Sequence, residues 1–199
     1  MMKEHIILGV MWLLFCVFHS MLASLSVKEF VEKKTGRWFK HYRIFYTLFA
    51  FLTLGIVLFY QLKIDSPLLF KTSVFSFAIG LLLSIVGLII MGICIKKYFI
   101  SLSGLKSLFE SKPSHTLITN GIHRYVRHPL YLGTFIFIWS FFITFPYLSL
   151  FIANFIITLY TLIGIQLEEK KLEIEFGNEY LKYKHQVPKL LPLIRVKRA

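Results

Sequence analysis

His115-Thr116-Leu117-Ile118-Thr119-Asn120-Gly121-Ile122-His123-Arg124-Tyr125-Val126-Arg127-His128-Pro129-Leu130-Tyr131-Leu132-Gly133 is where this chain passes from polar to apolar. Before Pro129 it crowds histidines and arginines together; from Leu130 to Leu167 no Asp, Glu, Lys or Arg occurs. A helix needs about 20 apolar residues to cross a bilayer, so this run holds two crossings, with Pro146 as the break between them. The first, Leu130 to about Phe145, reaches only about 24 Å at the helical rise. The second runs from about Tyr147 to Leu167. Because the turn between them carries no charge, the two are expected to form a tight helical hairpin.

Three earlier apolar runs have the length of a crossing: about Ile6–Leu25, Ile44–Leu62 and Val74–Ile95. Hydrophobic side chains make up 56% of the 199 residues and the mean hydropathy is +0.67, too apolar for a soluble domain. The pattern predicts an all-α polytopic membrane protein with about five transmembrane helices in one domain over 1–199. Residues 1–95 supply three spans; 96–199 supply a long polar loop, the hairpin and a tail. The first run imitates a signal peptide, with Lys3, an apolar core and small residues at Ala23-Ser24. It is long, however, and the chain keeps returning to the membrane, so a retained span is expected. Cys16 and Cys94 lie in apolar runs with no disulfide or zinc spacing, and no metal is expected.

A net charge of +13 points first to an anionic partner, but the basic residues are dealt out by loop, which argues against nucleic acid. Six Lys and Arg follow span one, six follow span three and eight follow span five, against Lys3, Lys63 and Lys71 on the other side. This bias places the N-terminus outside, the C-terminus in the cytoplasm, and both polar clusters on the cytoplasmic face. Membrane lipids are the surrounding partner.

The tail from Glu168 reads as an amphipathic interfacial helix. Leu172, Phe176, Tyr180 and Tyr183 form one stripe at helical spacing, and Lys170, Lys171, Lys182 and Lys184 suit anionic headgroups. Pro188 and Pro192 end it, and Leu190, Leu191 and Leu193 are expected to dip back into lipid. His19 and Ser20 place polar groups inside span one. A neighbouring helix is expected to satisfy them; the other reading is a place in a substrate pocket.

Two clusters carry chemistry. Pro129, lacking an N–H, fits the first position of a helix, which sets His128 at the positive end where anions are favoured. Arg127 adds a planar fork for carboxylate or phosphate, and Tyr131 a ring and a hydroxyl. On the residues alone, this is equally a basic mark before a proline-started helix. Glu168-Glu169 ends a span where negative charge opposes the dipole. It is either a solvated pair matched to Lys170 and Lys171 or a seat for an ammonium or sulfonium. A zwitterionic ligand with an added positive charge fits both clusters.

The run His115 to Gly133, followed by Glu168-Glu169, Phe176-Gly177-Asn178-Glu179-Tyr180, Tyr183 and Val187-Pro188, resembles the isoprenylcysteine carboxyl methyltransferase family. These are integral membrane enzymes that use S-adenosylmethionine. The likeness extends from about Ser107 to Leu193. Gln166-Leu167-Glu168-Glu169 is most similar to a bacterial branch that includes small-thiol S-methyltransferases. His19-Ser20-Met21-Leu22-Ala23-Ser24 and Tyr42-Arg43 are similar to bacterial members, including membrane proteins associated with nitrogen-oxide respiration. The resemblance implies that His115, Thr116, Leu117 and Ile118 line the cofactor with His128, Pro129, Leu130 and Tyr131. It implies that Glu168, with Glu169 beside it, holds the cofactor from the far side. His123 stands where the prenylcysteine enzymes have a cofactor-contacting tyrosine, and Gly164 where they have an arginine; the second departure favours a smaller or uncharged acceptor.

The implied activity is methyl transfer to a small-molecule or lipophilic acceptor at the cytoplasmic interface: a thiol first, then a phospholipid amine, then a prenylcysteine-type carboxylate. S-adenosylmethionine enters from the cytoplasm, and an apolar acceptor arrives laterally from the bilayer. A thiol must lose its proton, so His123 and His128, with Arg127 beside them, are the expected catalytic groups. A bacterial cytoplasmic membrane is the expected location. Two other classes fit part of the pattern. NADPH-dependent sterol-type reductases share an Arg-His-Pro-x-Tyr element but not Glu168-Glu169 with the Phe176-Gly177 tail, and a non-catalytic membrane assembly factor would keep the fold without the chemistry.

Overall fold

Seven α-helices form among the residues that the computed structural model describes, 1–102 and 116–191. Lys106, Lys112, His115, Pro192 and Leu193 lie outside the described residues. The helices are α1 (Met2–Ala23), α2 (Leu25–Thr35), α3 (Tyr42–Lys63), α4 (Val74–Leu102), α5 (Pro129–Thr144), α6 (Leu148–Phe176) and α7 (Asn178–Gln186). Helices α1, α3, α4 and α6 are long and apolar enough to cross a membrane, and α5 is a shorter apolar helix. The chain is an all-α polytopic membrane protein, as its apolar runs predict.

Polar contacts between helices set their relative directions. Trp12 donates to Gln61 at 2.8 Å and the Tyr46 hydroxyl lies 2.9 Å from His19 Nε2, so α1 and α3 are antiparallel. Trp139 donates to Thr158 at 3.0 Å and the Phe142 and Phe151 rings meet at 5.8 Å between centroids, which makes α5 and α6 antiparallel; Asn154 adds a bond to the Ile138 carbonyl at 2.6 Å. Helices α1 and α6 run the same way, with Gly9 beside Ile152 and Ser20 donating to the Tyr160 hydroxyl at 2.9 Å. Met1 and Glu168 therefore sit at opposite ends of the bundle. At the Met1 end, Ser66 Oγ lies 3.1 Å from His5 Nε2 and accepts from the Ser149 amide at 2.9 Å. His19 and Ser20 find partners on neighbouring helices, as expected.

The hairpin expectation holds in its turn and changes in its packing. Only Phe145–Tyr147 separates α5 from α6, yet α5 packs chiefly on α4. Small residues let membrane helices approach closely, and here Gly87 faces Gly133. A Cβ at Gly87 would stand 2.7 Å from the Phe137 amide nitrogen and 2.8 Å from the Gly133 carbonyl oxygen. One turn away, Ser84 and Ser140 share a hydrogen bond at 3.0 Å.

A second correction concerns the tail. Helix α6 does not give way to a separate helix at Glu168; it continues through both glutamates to Phe176, about 43 Å in all at the helical rise. Gly177 ends it with φ +50, a conformation that glycine adopts without steric cost. The short α7 follows at once. Likewise α2 fills much of the basic loop and stops at Gly36, at φ +49.

Candidate active site

The start of α5 is built as its proline predicts. Pro129 takes the first helical position and His128 the N-cap. The helix opens with the Leu132 amide donating to the His128 carbonyl at 3.0 Å, which leaves the amides of Leu130 and Tyr131 without an intrahelical acceptor. The Arg127 and His128 amides donate to the Pro188 and Lys189 carbonyls at 2.9 and 3.1 Å. Pro188 and Lys189, just before the leucines expected to return into lipid, are thus tied to the motif. Only further along does Leu191 stand exposed.

Beneath the motif lies a buried charge network. Arg127 donates from Nε at 3.0 Å and from Nη2 at 2.6 Å to Glu169 Oε1, and from Nη1 to the Lys184 and Val187 carbonyls at 2.8 and 2.7 Å. His128 Nε2 lies 3.2 Å from the same carboxylate oxygen. Lys189 Nζ stands 3.4 Å from Glu169 Oε2, and Lys184 Nζ donates to Glu173 at 2.6 Å. A buried carboxylate persists only with such compensation. The guanidinium fork expected to face an anionic ligand closes instead on protein groups, clamping the start of α5 to α6 and α7.

Above the network is a cavity of about 420 Å³. Its walls are Thr116, Leu117, Ile118, His123 and His128–Tyr131 on one side and Glu168, Leu172, Phe176, Tyr180 and Tyr183 on the other, with Cys94 between. Glu168, Leu172 and Phe176 share a helix face at intervals of one turn, whereas Glu169 is turned about 100° away into the ion pair. Glu168 Oε2 and the Tyr180 hydroxyl are buried without a hydrogen-bond partner among the described residues. His128 Nδ1 stands 3.7 Å from that glutamate oxygen, and its ring stacks on Tyr131 at 5.7 Å between centroids. Burial, and then the nearby Glu169 carboxylate, push the Tyr180 phenol above the usual tyrosine range. His123 Nδ1 lies 3.1 Å from the Arg127 carbonyl, and the His123 carbonyl accepts from the Tyr183 hydroxyl at 2.6 Å.

The structure thus gathers Thr116, Leu117, Ile118, His123, His128, Pro129, Leu130, Tyr131 and Glu168 around one space; Arg127 also reaches its wall, and Glu169 lies behind it. His115 is outside the described residues. The stripe Leu172, Phe176, Tyr180 and Tyr183, assigned from sequence to the headgroup layer, faces the cavity. Its continuity with Glu168 one turn earlier was the available signal.

A model of the phospholipid methyltransferase family matches residues 75–179. The chain is 41% identical over 78 residues to the methanethiol S-methyltransferase of Crocosphaera subtropica, covering 38% of this chain and 29% of that protein. It is 38% identical over 94 residues to the methanethiol S-methyltransferase of Pseudomonas deceptionensis, covering 46% and 34%. To the protein-S-isoprenylcysteine O-methyltransferase of Homo sapiens it is 31% identical over 125 residues, covering 57% and 42%. The chain spans less than half the length of each of these relatives. No solved structure matches it. The family match takes in α4, the start of α5, the glutamates of α6 and the first residues of α7, more than half of the chain, and the chain belongs to the phospholipid methyltransferase family.

Proposed function

We propose that this protein is an integral-membrane methyltransferase that binds S-adenosylmethionine in the cavity between α5, α6 and α7. Its methyl group goes to a small or lipophilic acceptor, a thiol before a phospholipid amine or a prenylcysteine carboxylate. The observation that carries the reading is a pairing of unlike ends across one cavity. A buried Glu168 oxygen with no hydrogen-bond partner among the described residues lines the same cavity as the amide-bearing start of α5. Family membership supports a methyl donor, and the names of the relatives support a thiol or a lipophilic acceptor.

The residues present fit the cofactor. A sulfonium or ammonium suits Glu168, and a carboxylate suits the Leu130 and Tyr131 amides at the positive end of α5. Tyr131, Phe176 and Tyr180 offer ring faces for a base or a cation. A volume of about 420 Å³ falls in the range of roughly 300–1,000 Å³ usual for such ligands. When bound, the cofactor supplies an activated methyl group with a good leaving group. The protein then has to position the reactants and exclude water. Arg127 and Glu169 keep three helices in place, and His128, held between two carboxylates, keeps its ring against Tyr131. His128 and His123 are the cavity-wall imidazoles assigned to take the proton of an acceptor thiol.

The site end of the bundle carries the basic loops, which supports a cytoplasmic site and an external N-terminus; the bacterial thiol-methyltransferase relatives support a bacterial cytoplasmic membrane. Calorimetric titration of the detergent-purified protein with S-adenosylhomocysteine tests the proposal, with NADPH as the control ligand. Micromolar binding that Glu168→Ala and His128→Ala abolish is the expected result. Binding of NADPH alone would identify a reductase, and a folded protein that binds neither ligand would be no enzyme of this kind.

A further inference from the structure

The seam between α4 and α5 runs into the cavity. Along α4 its contacting residues are Gly80, Ser84, Gly87 and Met91, at steps of four, three and four. Along α5 they are Thr144, Ser140, Phe137 and Gly133, stepping back by the same intervals. A Cβ at Gly80 would strike the Thr144 hydroxyl, Ser84 bonds to Ser140, and Gly87 abuts the Phe137 amide. A Cβ at Gly133 would stand 3.0 Å from Met91 Cγ. Steps of three and four keep to one helix face. By this register the next step of three sets Cys94 opposite Leu130, and both residues line the cavity.

Here the two helices cease to match. Pro129 begins α5, whereas α4 continues to Leu102. Among the described residues Cys94 is the one that α4 adds to the cavity wall. It brings no charge; Glu168, His128 and the Leu130 and Tyr131 amides, the groups suited to the cofactor, belong to α6 and to the start of α5. Cys94 also lies two residues before Lys96, which ends the apolar span of α4. This side of the cavity is therefore level with the edge of the lipid, where an apolar acceptor arrives. A ligand for the cavity is indicated independently of the cysteine, by the buried Tyr180 hydroxyl that has no partner among the described residues.

We propose that Cys94 and Leu130 form the floor on which the hydrocarbon part of the methyl acceptor rests, and that the side chain at position 94 sets the length of alkyl thiol accepted. This assignment rests on the methyltransferase reading. Cysteine is smaller than the leucines and aromatic rings around the cavity, so the floor is set low. A larger side chain there enters the cavity, because Met91 and Gly133, one turn along the seam, are already close-packed.

The test is methyl transfer from S-adenosylmethionine to straight-chain thiols, ethanethiol to hexanethiol, by the full chain in detergent. The readout is the kcat/KM ratio of hexanethiol to ethanethiol, which a general loss of folding or activity leaves unmoved. One methylene in a fitted apolar site is worth about tenfold or more. Cys94→Leu should therefore lower the ratio at least about tenfold, and Cys94→Ala should raise it. Cys16→Ala, at a buried cysteine of α1 that is off this cavity wall, should leave it alone. Parallel losses for all thiols in both Cys94 variants overturn the assignment. So does a Cys94→Leu variant that loses S-adenosylhomocysteine with the ratio intact, because the floor would then belong to the cofactor. Wild-type protein that binds no S-adenosylhomocysteine, or binds it and methylates no thiol, overturns the methyltransferase or the thiol reading instead. Thermal stabilisation by hexyl methyl sulfide over ethyl methyl sulfide then decides the floor without turnover. A difference that Cys94→Leu removes upholds it, and no difference overturns it.

Discussion

Arg127 Nη2 lies 2.6 Å from Glu169 Oε1, and both side chains are almost sealed from solvent. The contact separates the roles of two adjacent carboxylates. Glu169 is committed to holding α6 against the start of α5, while Glu168, one residue earlier, points its buried oxygen into the cavity. The chemistry of the two residues is identical; only their phase on the helix differs.

Breaking the pair should therefore cost stability before it costs binding. Arg127→Ala leaves the buried Glu169 carboxylate only His128, Lys184 and Lys189, and Glu169→Ala leaves the Arg127 guanidinium without its carboxylate; each is expected to destabilise by about 3–5 kcal/mol, read as a lower thermal-unfolding midpoint in detergent. Arg127→Lys should rescue little, since an ammonium cannot span Glu169 and the Lys184 and Val187 carbonyls together. The double substitution Arg127→Met, Glu169→Leu should recover much of the loss. Wild-type stability in Arg127→Ala would show that the pair carries no such load.

Glu168→Gln should do the opposite. The residue is only partly buried and its contact with His128 is long, at 3.7 Å, so the unfolding midpoint is expected to stay within a few degrees of wild type. Affinity for S-adenosylmethionine should fall about ten- to a hundredfold, the loss of one charge-assisted bond. If the carboxylate faces the sulfonium, S-adenosylhomocysteine, which lacks that charge, should lose less. Equal losses for the two ligands place the ammonium there, and no loss for either removes Glu168 from the site.

Tyr180→Phe removes a buried hydroxyl that has no partner among the described residues. Stability at neutral pH should hold or rise, because an unsatisfied donor is lost, while S-adenosylhomocysteine affinity should drop about three- to tenfold. The folded phenol is held above its usual range by burial and by Glu169. The unfolded phenol therefore ionises first, at about pH 10, and stability falls as pH rises through that value. The variant should lose this part of the alkaline destabilisation. Superimposable alkaline unfolding curves would contradict it.

The spans are legible in the sequence because bilayer thickness imposes a length and an apolar content that few other segments satisfy. Pro129 also announces its own position, since its ring and missing N–H suit one turn of a helix. Glu168 misleads for a physical reason. Charge marks where lipid ends, but backbone hydrogen bonding has no reason to stop there, and α6 runs on to Gly177. The stripe Leu172, Phe176, Tyr180 and Tyr183 has a readable face, whereas whether lipid or protein covers that face is settled by tertiary packing. Nor can spacing alone pair Arg127 with the second glutamate rather than the first, across 42 positions.

The contact between α4 and α5 carries the last prediction. Gly87 meets backbone atoms of Phe137 and Gly133, which cannot rotate aside as a side chain could. Gly87→Ala should push the helices apart and destabilise by about 1–3 kcal/mol or more. Gly92→Ala, five residues on in the same helix with nothing within 4 Å of its Cβ, should be neutral or stabilising by roughly 0.5–1 kcal/mol. The functional consequence should exceed the structural one. Gly133 is one turn from Pro129, so a shift there moves the His128–Tyr131 wall, and misplacement by about 1 Å can cost on the order of a hundredfold in rate. Gly87→Ala protein that stays folded at low temperature should therefore bind S-adenosylhomocysteine more weakly than Gly92→Ala. Matching midpoints and affinities in the two variants would mean that the glycine contact does not set the site.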